Sequence, residues 1–119
     1  MIQDPLDWGP LSLEDFVRYA GASGDFNPLH YDRAAAERAG LPDVIAQGML
    51  LSGLLASSLE TWFGPGSVRD LSVRFRRPAY VGDVLTAHIR EDTADGVLVA
   101  LSRGAEDIVT GMAKLEMST

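Results

Sequence analysis

Cysteine is absent from the 119 residues, which excludes disulfides, thiolate metal ligands and a cysteine nucleophile together. Long apolar runs are missing too. The most apolar stretch, Val44 to Leu59, is interrupted by Gln47, Ser52, Gly53, Ser57 and Ser58 and is too polar for a membrane span. No basic segment followed by an apolar run opens the sequence, so no signal peptide is expected and the default location is the cytoplasm. Positive charge is scarce: 10 Lys and Arg against 17 Asp and Glu leave a net charge of −7. That balance argues against general nucleic-acid affinity, which rests on releasing phosphate counterions. The two histidines, His30 and His88, give no metal-ligand spacing, so no metal is expected.

What remains is an ordinary globular composition, 46% hydrophobic, without repeats or a linker-like segment. The length suits one domain over residues 1–119, burying about two-thirds of the surface that its unfolded chain exposes. Residues 11–62 read as helices with loops, and residues 67–117 as strands. Ser12 and Asp15 form a capping-box pattern ahead of Leu13, Phe16, Val17 and Ala20 at helical spacing, with Gly21 and Gly24 closing the run. Asp32 suits the N-cap of a short second helix ending at Gly40 and the Leu41-Pro42 step. The third helix starts near Gly48 and continues to Gly64-Pro65. Apolar residues occupy all of its faces, so burial all round is expected.

Period-two alternation takes over in the second half. Leu71, Val73 and Phe75 share one face, with Ser72, Arg74 and Arg76 on the other. Leu85, Ala87 and Ile89 repeat the pattern after Gly82-Asp83. Val97, Val99 and Leu101 do so past an Asp95-Gly96 turn, and a last strand follows the turn "GAED" to end near Met117. Consecutive strands with short turns imply an antiparallel sheet, and an apolar helix needs a cover. One curved sheet wrapped around one central helix meets both demands, an α+β arrangement of the hot-dog type. Its open edges favour pairing with a second copy, so a dimer is expected.

The stretch "SGDFNPLHYD", Ser23 to Asp32, concentrates polar chemistry. Pro28 prevents the first helix from continuing, and Asn27 suits an Asx turn that holds the bend. A tight Asn-Pro bend lets Asp25 and His30 converge on one water. A carboxylate accepts protons, while an imidazole accepts or donates near neutrality. The plainer reading is a helix-connecting loop whose Asp and His are merely solvated.

In these residues the chain resembles the MaoC-like dehydratases and (R)-specific enoyl-CoA hydratases. Their signature, Tyr followed by Ser/Thr-Gly-Asp-x-Asn-Pro-Leu-His, reads here "YAGASGDFNPLH" from Tyr19. "QGMLLSGLLA" from Gln47 and "VRFRRPAYVGDVL" from Val73 follow in the family's order. Relatives often carry His where this chain has Gln47, and some carry Ser at Ala56.

The resemblance implies that Asp25 and His30 hold and activate the water that adds to a trans-2-enoyl thioester. It implies that the Gly48 backbone N–H binds the thioester oxygen, a role that a helix N-terminus suits. A glycine needed only to start a closely packed helix is the alternative for Gly48. Asn27 is implied as loop support. Ser52 and Ser57 either bond Asp25 or return to their own helix carbonyls. Arg69, Arg74, Arg76 and Arg77 put four of ten basic residues within nine positions, either a solvated strand face or a docking site for a phosphate-bearing carrier. His88, on the face opposite Leu85 and Ala87, is expected at the surface.

The expected function is reversible hydration of a 2-enoyl thioester of CoA or acyl carrier protein to an (R)-3-hydroxyacyl thioester, with no cofactor. A hot-dog thioesterase, or one subunit of a heteromeric hydratase for bulky acyl chains, are the alternatives. Leu50, Leu51, Leu54 and the loop after Gly40 are expected to shape the acyl pocket.

Overall fold

The computed structural model describes residues 3–116. The helical half contains α1 (Leu13–Ser23), a 3₁₀ turn (Pro28–His30), α2 (Arg33–Arg38) and α3 (Gly48–Phe63). A short strand, β1 (Leu6–Trp8), precedes it, and β2 (Val68–Phe75), β3 (Leu85–Thr93), β4 (Gly96–Arg103) and β5 (Glu106–Leu115) follow. The five strands form one antiparallel sheet in the order β1-β3-β4-β5-β2.

Local chemistry explains the helix ends. Ser12 Oγ accepts from Asp15 N–H while Asp15 Oδ2 accepts from Ser12 N–H, both at 3.0 Å, so the capping box is reciprocal. The helix runs through Gly21 and closes at Gly24. Asp32 Oδ1 accepts from the N–H groups of Ala34 and Ala35, as an N-cap carboxylate should.

The fold is the expected hot-dog arrangement, with one core formed between the sheet and α3. Leu51, Leu55 and Leu59 on α3 join Leu85, Ala87 and Ile89 of β3, Val97, Val99 and Leu101 of β4, and Val109 and Ala113 of β5. The alternation read from the sequence therefore places the right face inward. Burial of α3 all round does not hold. Met49, Gly53, Ser57 and Glu60 lie on its outward side and are exposed, because a single sheet covers only one face of a helix. The β3–β4 turn is residues 94–95, with Gly96 already paired to Thr93, one position earlier than expected. The expected strand end at Met117 lies outside the described residues.

β1 was not expected. It pairs with β3 through Leu6–Ala87 and Trp8–Leu85, and Trp8 Nε1–H donates to Ser58 Oγ of α3 at 2.8 Å. Gly9 then turns the chain away with φ +116°; a Cβ there would lie 2.6 Å from the Asp83 carbonyl oxygen. Both conformation and space thus require glycine at this position. Gly9→Ala is expected to lower stability by about 1–3 kcal/mol in a urea unfolding curve. An unchanged midpoint would contradict the close approach to Asp83.

Candidate active site

The loop after α1 is built from successive short-range bonds. Ser23 Oγ–H donates to Tyr19 O, and the same oxygen accepts from Asp25 N–H at 3.2 Å. Asp25 Oδ1 accepts from Asn27 N–H at 3.2 Å, and Asn27 Oδ1 accepts from Leu29 N–H at 3.1 Å. These are two consecutive Asx turns, and the second starts the 3₁₀ turn that carries His30. Asn27 thus supports the loop. Tyr31 Oη–H closes the outer side on the Phe26 carbonyl oxygen at 2.9 Å.

The turn brings Asp25 Oδ2 to 3.5 Å from His30 Nε2. The imidazole is nearly covered and the carboxylate half open, with side chains 11% and 48% exposed. The other ring nitrogen, Nδ1, lies 2.9 Å from the Ile45 carbonyl oxygen. A carbonyl oxygen only accepts, so Nδ1 carries a proton, and in the neutral tautomer the lone pair lies at Nε2. In that tautomer the two groups facing each other across 3.5 Å are both acceptors. A single donor placed between them would serve both.

The segment before α3 ties the second part of the site to the first. Ile45 N–H donates to Leu29 O at 3.0 Å, and Ala46 N–H donates to Ala79 O at 2.9 Å, with Ile45 bridging to Tyr80. Two residues beyond Ala46, Gly48 begins α3. Its N-cap, Gln47, makes no capping bond. That side chain instead enters the core, where Nε2–H donates to Phe16 O at 2.7 Å while Oε1 is buried without a partner. A helix start without a side-chain acceptor leaves first-turn N–H groups and the positive end of the dipole available to an anionic oxygen.

Ser52 Oγ is buried without a hydrogen-bond partner among the described residues, and Ser57 lies on the exposed side of α3. The back-bonding serine is Ser58, which donates to Leu54 O at 2.8 Å. Leu51 belongs to the core, whereas Leu50 and Leu54 line an apolar groove of about 420 Å³ with Trp8, Leu11, Tyr19 and Ala22. Arg74 and Arg76 line a second groove of about 620 Å³ on the outer sheet face, joined by Arg90 of β3. Arg77 instead faces Glu106 at 3.6 Å. Ile45 is the site residue that sequence reasoning missed. It acts through its main chain, which leaves no mark on residue type.

His88 is not a simple surface residue. Its Nε2 lies 2.9 Å from Ser102 Oγ, and that hydroxyl donates to Asp107 Oδ1 at 3.0 Å. Asp107 also holds Arg90. The Ser102 proton is directed at Asp107, so His88 Nε2–H is the donor and the trio is no nucleophilic triad. Burial, then the Arg90 charge, holds the His88 imidazole below its ordinary range, with Asp107 partly opposing. As pH falls below about 6.5, the unfolded chain takes up this proton before the folded one does. The stability contributed above that pH is therefore lost as pH falls through the folded value. His88→Gln, which keeps a donor for Ser102, is expected to show a smaller drop in urea midpoint between pH 7.5 and pH 5 than the native chain. Equal drops would exclude His88 as a source of acid sensitivity.

The MaoC-like domain family matches residues 3–99. The (R)-specific enoyl-CoA hydratase of Aeromonas caviae is 37% identical over 115 residues, covering 87% of this chain and 84% of that protein. The mitochondrial 3-hydroxyacyl-(acyl-carrier-protein) dehydratase of Arabidopsis thaliana is 41% identical over 73 residues, or 60% of this chain. The chain spans only 43% of that relative's length. The solved (R)-hydratase of A. caviae superposes with a TM-score of 0.82 at 27% identity, covering 99% of this chain and 97% of that one. The protein belongs to the MaoC-like family.

Proposed function

We propose that the chain catalyses the reversible addition of water to a trans-2-enoyl thioester, giving an (R)-3-hydroxyacyl thioester. The observation that carries this reading is the pair of facing acceptors, His30 Nε2 and Asp25 Oδ2, whose complement is a single water molecule. The names of the two relatives, hydratase and dehydratase, describe the two directions of one such reaction.

One hydrogen of the water is donated to His30 Nε2 and the other to Asp25. As the water oxygen bonds C3, one proton passes to this pair and the C2–C3 double bond shifts towards the thioester carbonyl. The oxygen becomes enolate-like and is held by the Gly48 N–H at the α3 N-terminus. The pair then returns a proton to C2. Water is added whole, and no electron acceptor is consumed.

The acyl tail is assigned to the apolar groove of Leu50 and Leu54. The phosphate-bearing carrier, CoA or acyl carrier protein, is assigned to Arg74 and Arg76, since guanidinium suits phosphate geometry. Four exposed apolar residues, Phe26, Tyr31, Met49 and Phe75, flank the pair and the start of α3. Together with the open face of α3, they support self-association that closes the site. The test is hydration of crotonyl-CoA and a longer enoyl-CoA, followed by loss of the conjugated thioester absorbance, with a thiol dye run in parallel. Thiol release without hydration would assign the site to thioester cleavage instead.

A further inference from the structure

The backbone at Gly48 has no positive φ, so conformation does not require glycine there. Space does. A Cβ on Gly48 would lie 3.1 Å from Cζ of Phe75 and 3.3 and 3.4 Å from its Cε1 and Cε2. The Phe75 ring therefore meets the helix start tip first and takes the place of the missing side chain.

Phe75 is an unusual residue to find in that role. It ends β2, an edge strand of the sheet, and stays 50% exposed. The residues before it on the same face, Leu71 and Val73, pack against the core. Phe75 continues their row past the end of the core and reaches the helix N-terminus. There the N-cap side chain of Gln47 is committed to Phe16 O, and the helix start has no polar side-chain cap. An aromatic ring is what stands beside the first turn instead.

We infer that Phe75 is a positioning residue for the thioester oxygen, bounding one side of the α3 N-terminus and excluding water from it. This inference rests on the hydratase reading of Gly48. A hydrogen bond to developing charge gains strength as competing water is removed, so a dry wall beside an N–H adds to the polarity of the donor itself. The ring also stands against the side of Gly48 on which a Cβ would project. It accounts for the glycine at the same time: the empty Cβ position is already taken by Phe75, so Gly48→Ala acts through the ring.

The experiment compares wild type, Phe75→Ala and Phe75→Leu in the full chain, with folding of each checked by circular dichroism. Crotonyl-CoA hydration gives kcat and KM, and amide hydrogen exchange of the free protein gives solvent access at Gly48. Phe75→Ala is expected to lower kcat about tenfold, less than loss of the donor itself would. KM should change less than about twofold, since a ring that strengthens only the transition-state bond leaves ground-state binding alone. Exchange at Gly48 should accelerate about tenfold, with mid-helix amides such as Leu55 unchanged. Phe75→Leu keeps an apolar side chain at the strand end and should recover about half of the lost kcat on a logarithmic scale. Should Phe75→Ala fail to fold, the leucine variant decides the question on kcat alone. A folded Phe75 variant with wild-type kcat overturns the role of Phe75, whatever its amides do, while the proposed function stands. A wild-type chain that hydrates no enoyl-CoA overturns the proposed function, and the thioester role of Phe75 with it.

Discussion

Asp25→Asn and His30→Ala are each expected to lower kcat for enoyl-CoA hydration by about 10²–10⁴-fold, the range for loss of a positioned acid or base. Asp25→Asn preserves shape but replaces a charged acceptor with an amide that has half the accepting capacity. His30→Ala removes the Nε2 lone pair and leaves the Ile45 carbonyl oxygen without its donor. It should therefore also cost about 1 kcal/mol of stability, whereas Asp25→Asn, at a half-exposed position, should cost less. Because both groups act on one water, the double variant is expected to be no slower than the worse single one. Steady-state hydration of crotonyl-CoA and a longer enoyl-CoA, with stabilities measured alongside, checks this. Wild-type rates in both single variants would mean that the facing acceptors are loop architecture only, as the plainer reading of "SGDFNPLHYD" has it.

Leu55→Ala carries the largest expected loss of stability. Leu55 lies midway along α3, is 0% exposed, and belongs to the one core of the molecule. Truncation removes three carbons and leaves a cavity between helix and sheet, at a cost of about 2–5 kcal/mol. Against a total of about 5–15 kcal/mol for a domain, that is a large share of the folding free energy. A urea unfolding curve should show a lower midpoint with an unchanged slope. A loss under about 1 kcal/mol would mean that the sheet collapses onto α3 without strain, contrary to close packing. Met49→Ala, on the open face of the same helix and 67% exposed, serves as the control and should change stability by less than about 0.5 kcal/mol in the isolated chain.

The parts of the structure that were legible in the sequence are those set by neighbouring residues. The Ser12–Asp15 box, the Asp32 cap and the Asn27 turn are all closed within three residues, so residue types alone define them. The inward faces of β3 and β4 followed from alternation because that face packs on α3. β1 was not legible: three residues are too few to establish a period, and its pairing with β3 is set by tertiary contact. Burial of α3 was overestimated because one sheet covers one face of a helix, and Met49, Gly53, Ser57 and Glu60 lie on the other. The convergence of Asp25 and His30 was legible from the Asn-Pro bend, but the orientation of the imidazole was not. The carbonyl that sets it is 15 residues away. His88 lies on the expected outer face but is partly buried there, and its partner Ser102 could not be read from sequence because it sits on the next strand.

Ile45 holds both halves of the site through its peptide groups: its N–H secures the loop at Leu29, its carbonyl orients His30, and the chain reaches Gly48 three residues later. Main-chain groups are common to nearly all amino acids, so this joint is indifferent to mutation of its own side chain. Replacing the side chain at position 45 leaves in place the groups that hold the loop and the imidazole. Proline, lacking the N–H, is the exception. Such a joint keeps the spacing of Asp25 and His30 independent of the side chain that borders them.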